Sequence, residues 1–448
     1  MHNVSEHTGG VIFGMDPTWM AVSILLIVYA FIMAEKFNRA VLSLLGAGLM
    51  ILCGVITQEQ AIAGVDFNTI GLLTGMMVIV AISQKTGMFQ YVAIKAAKAV
   101  KGSPWGILVM LSIVTAVFSA FLDNVTTVLL IAPVTLLITD ALGVRPYPYL
   151  FAQILASNVG GTATLIGDPP NIMIGSAANL SFMDFLLNLA PITPVIFLVM
   201  IVAIWFMFGR DLHATDENKA LVMRFDESEA IKDVPLLKKS LSVLFLVITG
   251  FTMAHSLGLE PASIAMFGAA LLLLLQTFGQ TLEEKDHAYE GIMADVEWTT
   301  IFFFVGLFIV VTGVEHTGVI EMLATKTLEL TGGDFNATVA AVLWVSAIAS
   351  ALIDNIPFVA TMIPLIQSMA PTFGGPDALV PLWWALALGA CLGGNGSLIG
   401  ASANLIVAGF AQRAGHPIQF LVFMKHAFGL MLISIVISHA YIYFRYLS

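Results

Sequence analysis

The chain has 448 residues, of which 58% belong to the apolar set and 10% are charged, against about a quarter charged in an average globular domain. With a mean hydropathy of +0.94, this composition excludes a soluble enzyme and a disordered chain. Apolar stretches of about 20 residues recur, in place of the ~10-residue alternation of an outer-membrane barrel, so the spans are expected to be helices. The net charge of −11 sits mostly in loops and ends, and the two cysteines, Cys53 and Cys391, offer neither a disulfide framework nor a multi-thiolate metal site.

Residues Met1 to Gly10 hold no Lys or Arg, unlike the basic start of a cleavable signal, so the first span is expected to be retained. Full spans are predicted over about 18–35, 39–57, 67–84, 149–176, 184–209, 238–256, 261–278, 297–314, 381–408 and 418–446. Two longer apolar stretches, about 104–140 and 337–370, are interrupted by Asp-Asn in Phe121-Leu-Asp-Asn-Val-Thr-Thr127 and Leu352-Ile-Asp-Asn-Ile-Pro-Phe358. Both are read as helical hairpins that enter the membrane and return to the same side. Segments 86–101 and 318–331 mix apolar residues with Lys or Glu and are predicted to be interfacial helices. The stretch from Arg210 to Lys239, nearly balanced in charge, is expected to be a solvated cytoplasmic connector.

Ten crossings from an external N-terminus put all of the 18 basic residues inside except Lys326 and Arg445, as the positive-inside rule requires. The expected organisation is an extracytoplasmic tail over 1–17, a first repeat over 18–209, a cytoplasmic loop over 210–237 and a second repeat over 238–448. Both termini would lie outside the cytoplasmic (inner) membrane.

The two halves are copies. A step of 231 residues aligns Val65-Asp-Phe-Asn-Thr-Ile70 with Val296-Glu-Trp-Thr-Thr-Ile301, Gly75 with Gly306, Asp123-Asn124 with Asp354-Asn355 and Pro133 with Pro364. After a two-residue slip, Gly160 to Gly167 pairs with Gly393 to Gly400, and Asn171 with Asn404. Five crossings and one hairpin per copy is an odd number of crossings, so the second copy runs upside down. Inverted repeats with broken helices are the usual build of secondary transporters, whose site lies at mid-membrane where the breaks meet.

The first break, Asn158-Val-Gly-Gly-Thr-Ala-Thr-Leu-Ile-Gly-Asp-Pro-Pro-Asn171, and the second, Gly393 to Asn404, free backbone groups from helical pairing. Asp123, Asp354 and Asp168 are the candidate proton-coupling residues, because a carboxylate at the bilayer centre is costly and usually faces a cavity. Helix capping by each is the bland alternative and is compatible with proton exchange. No Lys or Arg is expected beside either hairpin tip, so a di- or tricarboxylate would be repelled there.

The string Phe-Leu-Asp-Asn-Val-Thr-Thr with Pro133, together with Asn-Val-Gly-Gly-Thr-Ala-Thr-Leu-Ile-Gly-Asp-Pro-Pro-Asn-Ile, resembles the arsenite permease and P-protein branch of the ion transporter superfamily, over about residues 18–446. The resemblance implies a scaffold domain plus a transport domain holding the hairpins and broken helices. Dicarboxylate carriers of that superfamily read Ser-Asn-Thr at the tips, where this chain has Asp123-Asn124-Val125 and Asp354-Asn355-Ile356.

The expected function is export of arsenite or antimonite in exchange for protons, with a sodium/proton antiporter as the alternative. The candidate substrate-binding residues are Asn124, Thr126, Thr127, Asn158, Gly160, Gly161, Thr162, Thr164, Asn355, Gly394, Asn395, Gly396 and Ser397. An intramembrane aspartyl protease is disfavoured, since Leu165 stands where its motif needs Gly. No nucleotide-binding loop and no His-x-x-x-His pair is present. The chain is therefore expected to be no enzyme, with no cofactor, no metal centre and no nucleic-acid partner. The bilayer is its surroundings; a separate arsenite-stimulated ATPase and a second copy of the chain stay open as partners.

Overall fold

The computed structural model describes residues 14–34 and 36–448, so most of the expected tail lies outside the described residues. Every regular element among them is a helix. The first copy runs α1 (Pro17–Met33), α2 (Arg39–Leu52), α3 (Gln58–Ala63), α4 (Phe67–Gln84), α5 (Met88–Ala99), α6 (Pro104–Phe121), α7 (Asn124–Leu142), α8 (Tyr147–Thr162), α9 (Pro169–Ala178), α10 (Phe182–Asn188) and α11 (Thr193–Phe208). A connector bearing α12 (Asp216–Met223) leads to α13 (Val234–Leu257), α14 (Pro261–Thr277), α15 (Leu282–Asp295), α16 (Trp298–His316), α17 (Val319–Leu330), α18 (Phe335–Leu352), α19 (Asn355–Gln367), α20 (Ala370–Phe373), α21 (Val380–Gly393), α22 (Ser402–Arg413) and α23 (Phe420–Ile442). The bounds of α5 and α17, and of α6 and α18, differ by 231 residues at both ends. The fold is two inverted copies of one unit, each with a re-entrant hairpin and a broken helix.

Local chemistry sets the boundaries. Asp123 and Asp354 stand before α7 and α19 and accept backbone N–H bonds from Thr126 at 2.8 Å and Ile356 at 3.1 Å, so each hairpin turns in two residues. Gly87 and Gly318 adopt positive φ (80° and 75°) at matching places, the left-handed step that sends the chain from a spanning helix into α5 or α17. The break before α9 follows from Pro169 and Pro170, which supply no N–H to continue the ladder.

Three expectations need correction, and one helix lies outside them. The span expected over 184–209 is two helices, because Pro191 interrupts it between α10 and α11 and Pro194 sits in the first turn of α11. The span expected over 39–57 stops helically at Leu52, and Thr57 then opens α3 with a reciprocal Thr57–Gln60 capping box. Helix α15 is too polar for a span and was not anticipated. The connector is not simply solvated: Val222 is fully buried, Asn218 Nδ2 donates to Leu142 O at 2.9 Å, and Lys98 Nζ donates to Phe225 O at 2.9 Å and pairs with Glu227. It straps onto α5 and the base of the first hairpin.

Packing divides the helices into two groups. In one, α2 runs along α16 and α4 along α14, with α1 and α13 beside them. Glycine permits both close approaches: a Cβ on Gly306 would sit 2.5 Å from the Ser43 carbonyl carbon, and one on Gly75 would sit 2.6 Å from that of Ala265. In the other group, each hairpin packs on its own broken helix, α6 on α8 and α18 on α21, while α7 meets α22 and α19 meets α9 across the pseudo-twofold. Exposed Leu26, Phe206, Phe245 and Phe267 lie on the outer faces, an apolar exterior suited to lipid.

Candidate functional site

The hairpin tips and the two breaks converge at the centre of the second group. Hydroxyls pin each hairpin to its broken helix in matching pairs. Ser119 Oγ donates to Ser157 O and Ser350 Oγ to Ala390 O, both at 2.6 Å. Thr164 donates to Ala120 O and Ser397 to Ala351 O. Two asparagines then take up carbonyls freed by the breaks. Asn171 Nδ2 reaches Gly161 O, Thr162 O and Thr164 O at 3.3, 3.3 and 2.9 Å. Asn404 Nδ2 reaches Gly394 O and Ser397 O at 2.8 Å each. The breaks are thus satisfied internally, as a low-dielectric setting demands.

Two half-sites result, one under each tip. In the first, Asn158 is the hub: its Nδ2 donates to Asn395 Oδ1 at 2.9 Å and Asn404 Oδ1 at 3.1 Å, and its Oδ1 accepts from Asn124 Nδ2 at 3.1 Å. All four amides are at most 2% exposed. Asn395 Nδ2 and Thr127 Oγ1 are buried without a hydrogen-bond partner. In the second, Asn355 Nδ2 donates to both oxygens of Asp168 at 3.3 Å, and Cys391 Sγ donates to Asn171 Oδ1 at 3.4 Å. By repeat position Asn355 answers Asn124, Cys391 answers Asn158, Thr162 answers Asn395 and Asp168 answers Ala401. The copies share a framework and differ in chemistry: one half-site is built of carboxamides, the other around a carboxyl that is 1% exposed.

The three aspartates have different surroundings. Asp123 caps α7 and also accepts from Thr126 Oγ1 at 2.5 Å. Asp168 precedes α9 without capping it. Asp354 accepts from Ser402 Oγ at 2.8 Å and lies 3.5 Å from Arg39 Nη1, which overturns the expectation of no cation beside a tip. Arg39 belongs to α2, 315 positions away in sequence, and only the packing of α2 beside α16 brings it there. Its guanidinium also donates to Ser402 Oγ and, at 3.1 Å, to Thr300 Oγ1, and lies over the Phe303 ring.

Several candidate residues are occupied by the framework. Thr126, Thr162, Thr164 and Ser397 donate to Asp123, Asn158 O, Ala120 O and Ala351 O. The glycines serve close packing: a Cβ on Gly160 would overlap the Ala116 carbonyl, one on Gly161 would meet Gly167 O at 2.5 Å, one on Gly394 would meet Gly400 O at 3.0 Å, and one on Gly396 would meet Ala351 Cβ at 2.6 Å. Asn124, Thr127, Asn158, Asn395, Asn355 and Asp168 are the ones the fold brings to the half-sites. Sequence reasoning missed Arg39, Ser402 and Glu297; it aligned Asn171 with Asn404, and that invariance between copies was the available signal for their shared role. A cavity of about 310 Å³ separates α16 from α19 and is bordered by Asp66, Met173, Ser176, Thr312 and Ile363. Among the described residues no cluster of three His, Cys, Asp or Glu side chains is arranged to hold a metal ion.

Residues 29–389 match the model of the CitMHS family, described as citrate transporter. An uncharacterized transporter of Mycobacterium tuberculosis is 42% identical over 431 residues, covering 95% of this chain and 98% of that protein. The P protein of Homo sapiens is 34% identical over 506 residues, covering 94% of this chain and 59% of that protein, so the P-protein likeness expected from the break motif is found. Among solved structures, the Alcanivorax borkumensis YdaH transporter superposes with a TM-score of 0.58 at 14% identity, covering 96% of this chain and 98% of that one. Neisseria gonorrhoeae MtrF gives 0.55 at 12% identity, covering 97% and 95%. These two likenesses are of fold.

Proposed function

Because the chain belongs to the CitMHS citrate transporter family it is a membrane transporter, and we propose that it is a secondary active carrier exporting arsenite or antimonite across the cytoplasmic membrane in exchange for protons. The observation that carries this reading is Asp168, a buried carboxyl that accepts two long bonds from the Asn355 amide at 3.3 Å and has the Cys391 thiol beside it, near an uncharged half-site with an unused amide N–H and hydroxyl. A carboxylate so placed is costly unless a proton or cation joins it. A buried donor without a partner is costly as well, and a ligand that accepts from it recovers that cost. Arsenite near neutral pH is mostly the uncharged trihydroxide, which both donates and accepts, as do Asn124, Asn158 and Asn395.

A citrate-like polyanion suits this core poorly. Asp168 lies within electrostatic reach of Asp123 and Asp354, and Glu297 within reach of Asp123 and Arg39. A polyanion placed among these carboxyls would add like charges where the low effective dielectric makes repulsion strong. The sodium/proton alternative has less support, since the break carbonyls that would ligate a bare cation are taken by Asn171 and Asn404. Of the three proposed proton-coupling residues, Asp123 is engaged as a cap and Asp354 with Arg39, so the main role falls to Asp168. It would take a proton facing outside and surrender it inside as the solute binds. The proposed division is 18–209 and 238–448 about the loop 210–237, with both termini outside.

The test uses purified protein in sealed liposomes under an imposed pH gradient, with a pH dye inside and arsenite, antimonite, sodium or lithium added in turn. Proton flux that appears with arsenite or antimonite supports the reading. Flux that appears with sodium or lithium alone replaces it with a cation/proton antiporter.

A further inference from the structure

The polar contacts between the two helix groups are few and unevenly placed. Tyr29 Oη of α1 donates to Pro357 O at 2.7 Å, Arg39 of α2 reaches Asp354 and Ser402, and Asn68 and Asp66 hold Ser176 of α9 at 3.2 and 3.0 Å. The second hairpin is therefore tied to the α2–α16 group, whereas the side-chain bonds of Asp123 at the first tip stay within its own turn. Arg39 is held in place independently of the hairpin by Thr300 and by the face of Phe303. The Arg39 and Asp354 side chains are 24% and 11% exposed, so separating them while both are charged strands two ions at low dielectric.

We propose that Arg39 is the positioning residue that makes movement of the second hairpin depend on neutralising Asp354. With Asp354 ionised, the hairpin stays latched to α2; a proton or a bound cation on Asp354 removes the attraction and frees the tip. Arg39 is not stranded by that release, because Thr300 Oγ1, which accepts from Arg39, itself donates to Glu297 Oε2 at 3.2 Å. Glu297 then becomes its counter-charge within α16. The other charge facing the tip is acidic, Asp168 on α9, which accepts from Asn355 and itself feels Asp123 of the first hairpin. The charged residues of α17, Glu321, Lys326 and Glu329, are exposed, and the last two pair with each other. The exposed Glu315 and His316 lie at the far end of α16 from Glu297. This inference deepens the transport reading and rests on it for its purpose, though its test does not need a solute.

The test is hydrogen–deuterium exchange of the backbone over 351–358 in the full chain in lipid nanodiscs at pH 8, corrected for intrinsic rates. Arg39→Gln and Asp354→Asn, each of which removes one charge of the pair, should exchange about tenfold faster than wild type, a ratio worth ~1.4 kcal/mol. Arg39→Lys should restore part of the protection, and the double variant should be no worse than either single. Unchanged protection in Arg39→Gln or in Asp354→Asn, or a double variant whose loss is the sum of the two singles, overturns the latch. Should Arg39→Gln not fold, the comparison of Arg39→Lys with Asp354→Asn decides by the same criteria. Absence of any arsenite-linked flux in a wild type that keeps this protection would count against the transport reading and leave the latch standing.

Discussion

Asp168→Asn should yield a protein at least as stable as wild type that no longer couples solute to protons. An ionised aspartate at the bilayer centre costs at least about 2.5–3.5 kcal/mol. The two bonds from Asn355 are long, 3.3 Å each, and bonds between membrane helices average about 0.6 kcal/mol. They return about 1.2 kcal/mol, which leaves a net burden of about 1–2 kcal/mol that the amide removes. The substitution is nearly isosteric, and Asp168 makes no capping bond that would be lost. Unfolding by steric trapping in bicelles at pH 8 should show that gain, while solute-driven proton flux in liposomes disappears. A variant destabilised by more than ~1 kcal/mol would mean that the carboxylate is structural. A variant with wild-type proton flux would remove Asp168 from the coupling.

Gly160→Ala should prevent α6 from seating on α8, because the added methyl meets the Ala116 carbonyl and not a flexible side chain; a loss of about 2–3 kcal/mol or failure to accumulate is expected, against no loss in Gly429→Ala, where nothing lies within 4 Å. Asn158→Leu should cost about 2 kcal/mol in the same unfolding assay, the three inter-segment bonds at ~0.6 kcal/mol each, and should abolish solute binding; undiminished binding would take the first half-site out of recognition. The strap should respond to pH through Glu227, whose carboxyl is held below the usual glutamate range by the bond from Lys98. A depressed carboxyl supports the fold above its ordinary range and loses that support as pH falls through the lowered value. Exchange over 216–230 should accordingly rise on acidification and already be raised at neutral pH in Glu227→Gln; equal protection in the two proteins would contradict this.

The architecture was legible because its signals are local or periodic. Asp-Asn in an apolar run announced each hairpin, Gly-rich and Pro-rich strings announced the breaks, and a fixed step of 231 residues joined them. The helix pair α10 and α11 was misread as one span because hydropathy averages over Pro191 and Pro194. The polar helices α3 and α15 escaped a search made for apolar runs. Within the site, residue types did not reveal how each polar group would be used: Thr164 and Ser397 look like ligands, yet both are pinned to hairpin carbonyls. Arg39 was beyond reach for a different reason. It reads as a cytoplasmic loop cation at the start of α2, and its pairing with Asp354 depends on helix packing that brings together positions 315 apart. The repeat alignment carried more than was drawn from it, since the departures between copies, Asp168 against Ala401 and Asn158 against Cys391, mark where the two half-sites diverge.

The central claim is that solute and proton are linked through Asp168. The most direct measurement follows pH in weakly buffered, purified protein as arsenite is added, in wild type and in Asp168→Asn. Binding to wild type should release protons, and the variant should bind without release. Binding to wild type with no proton released, or release that sodium provokes and arsenite does not, would contradict it.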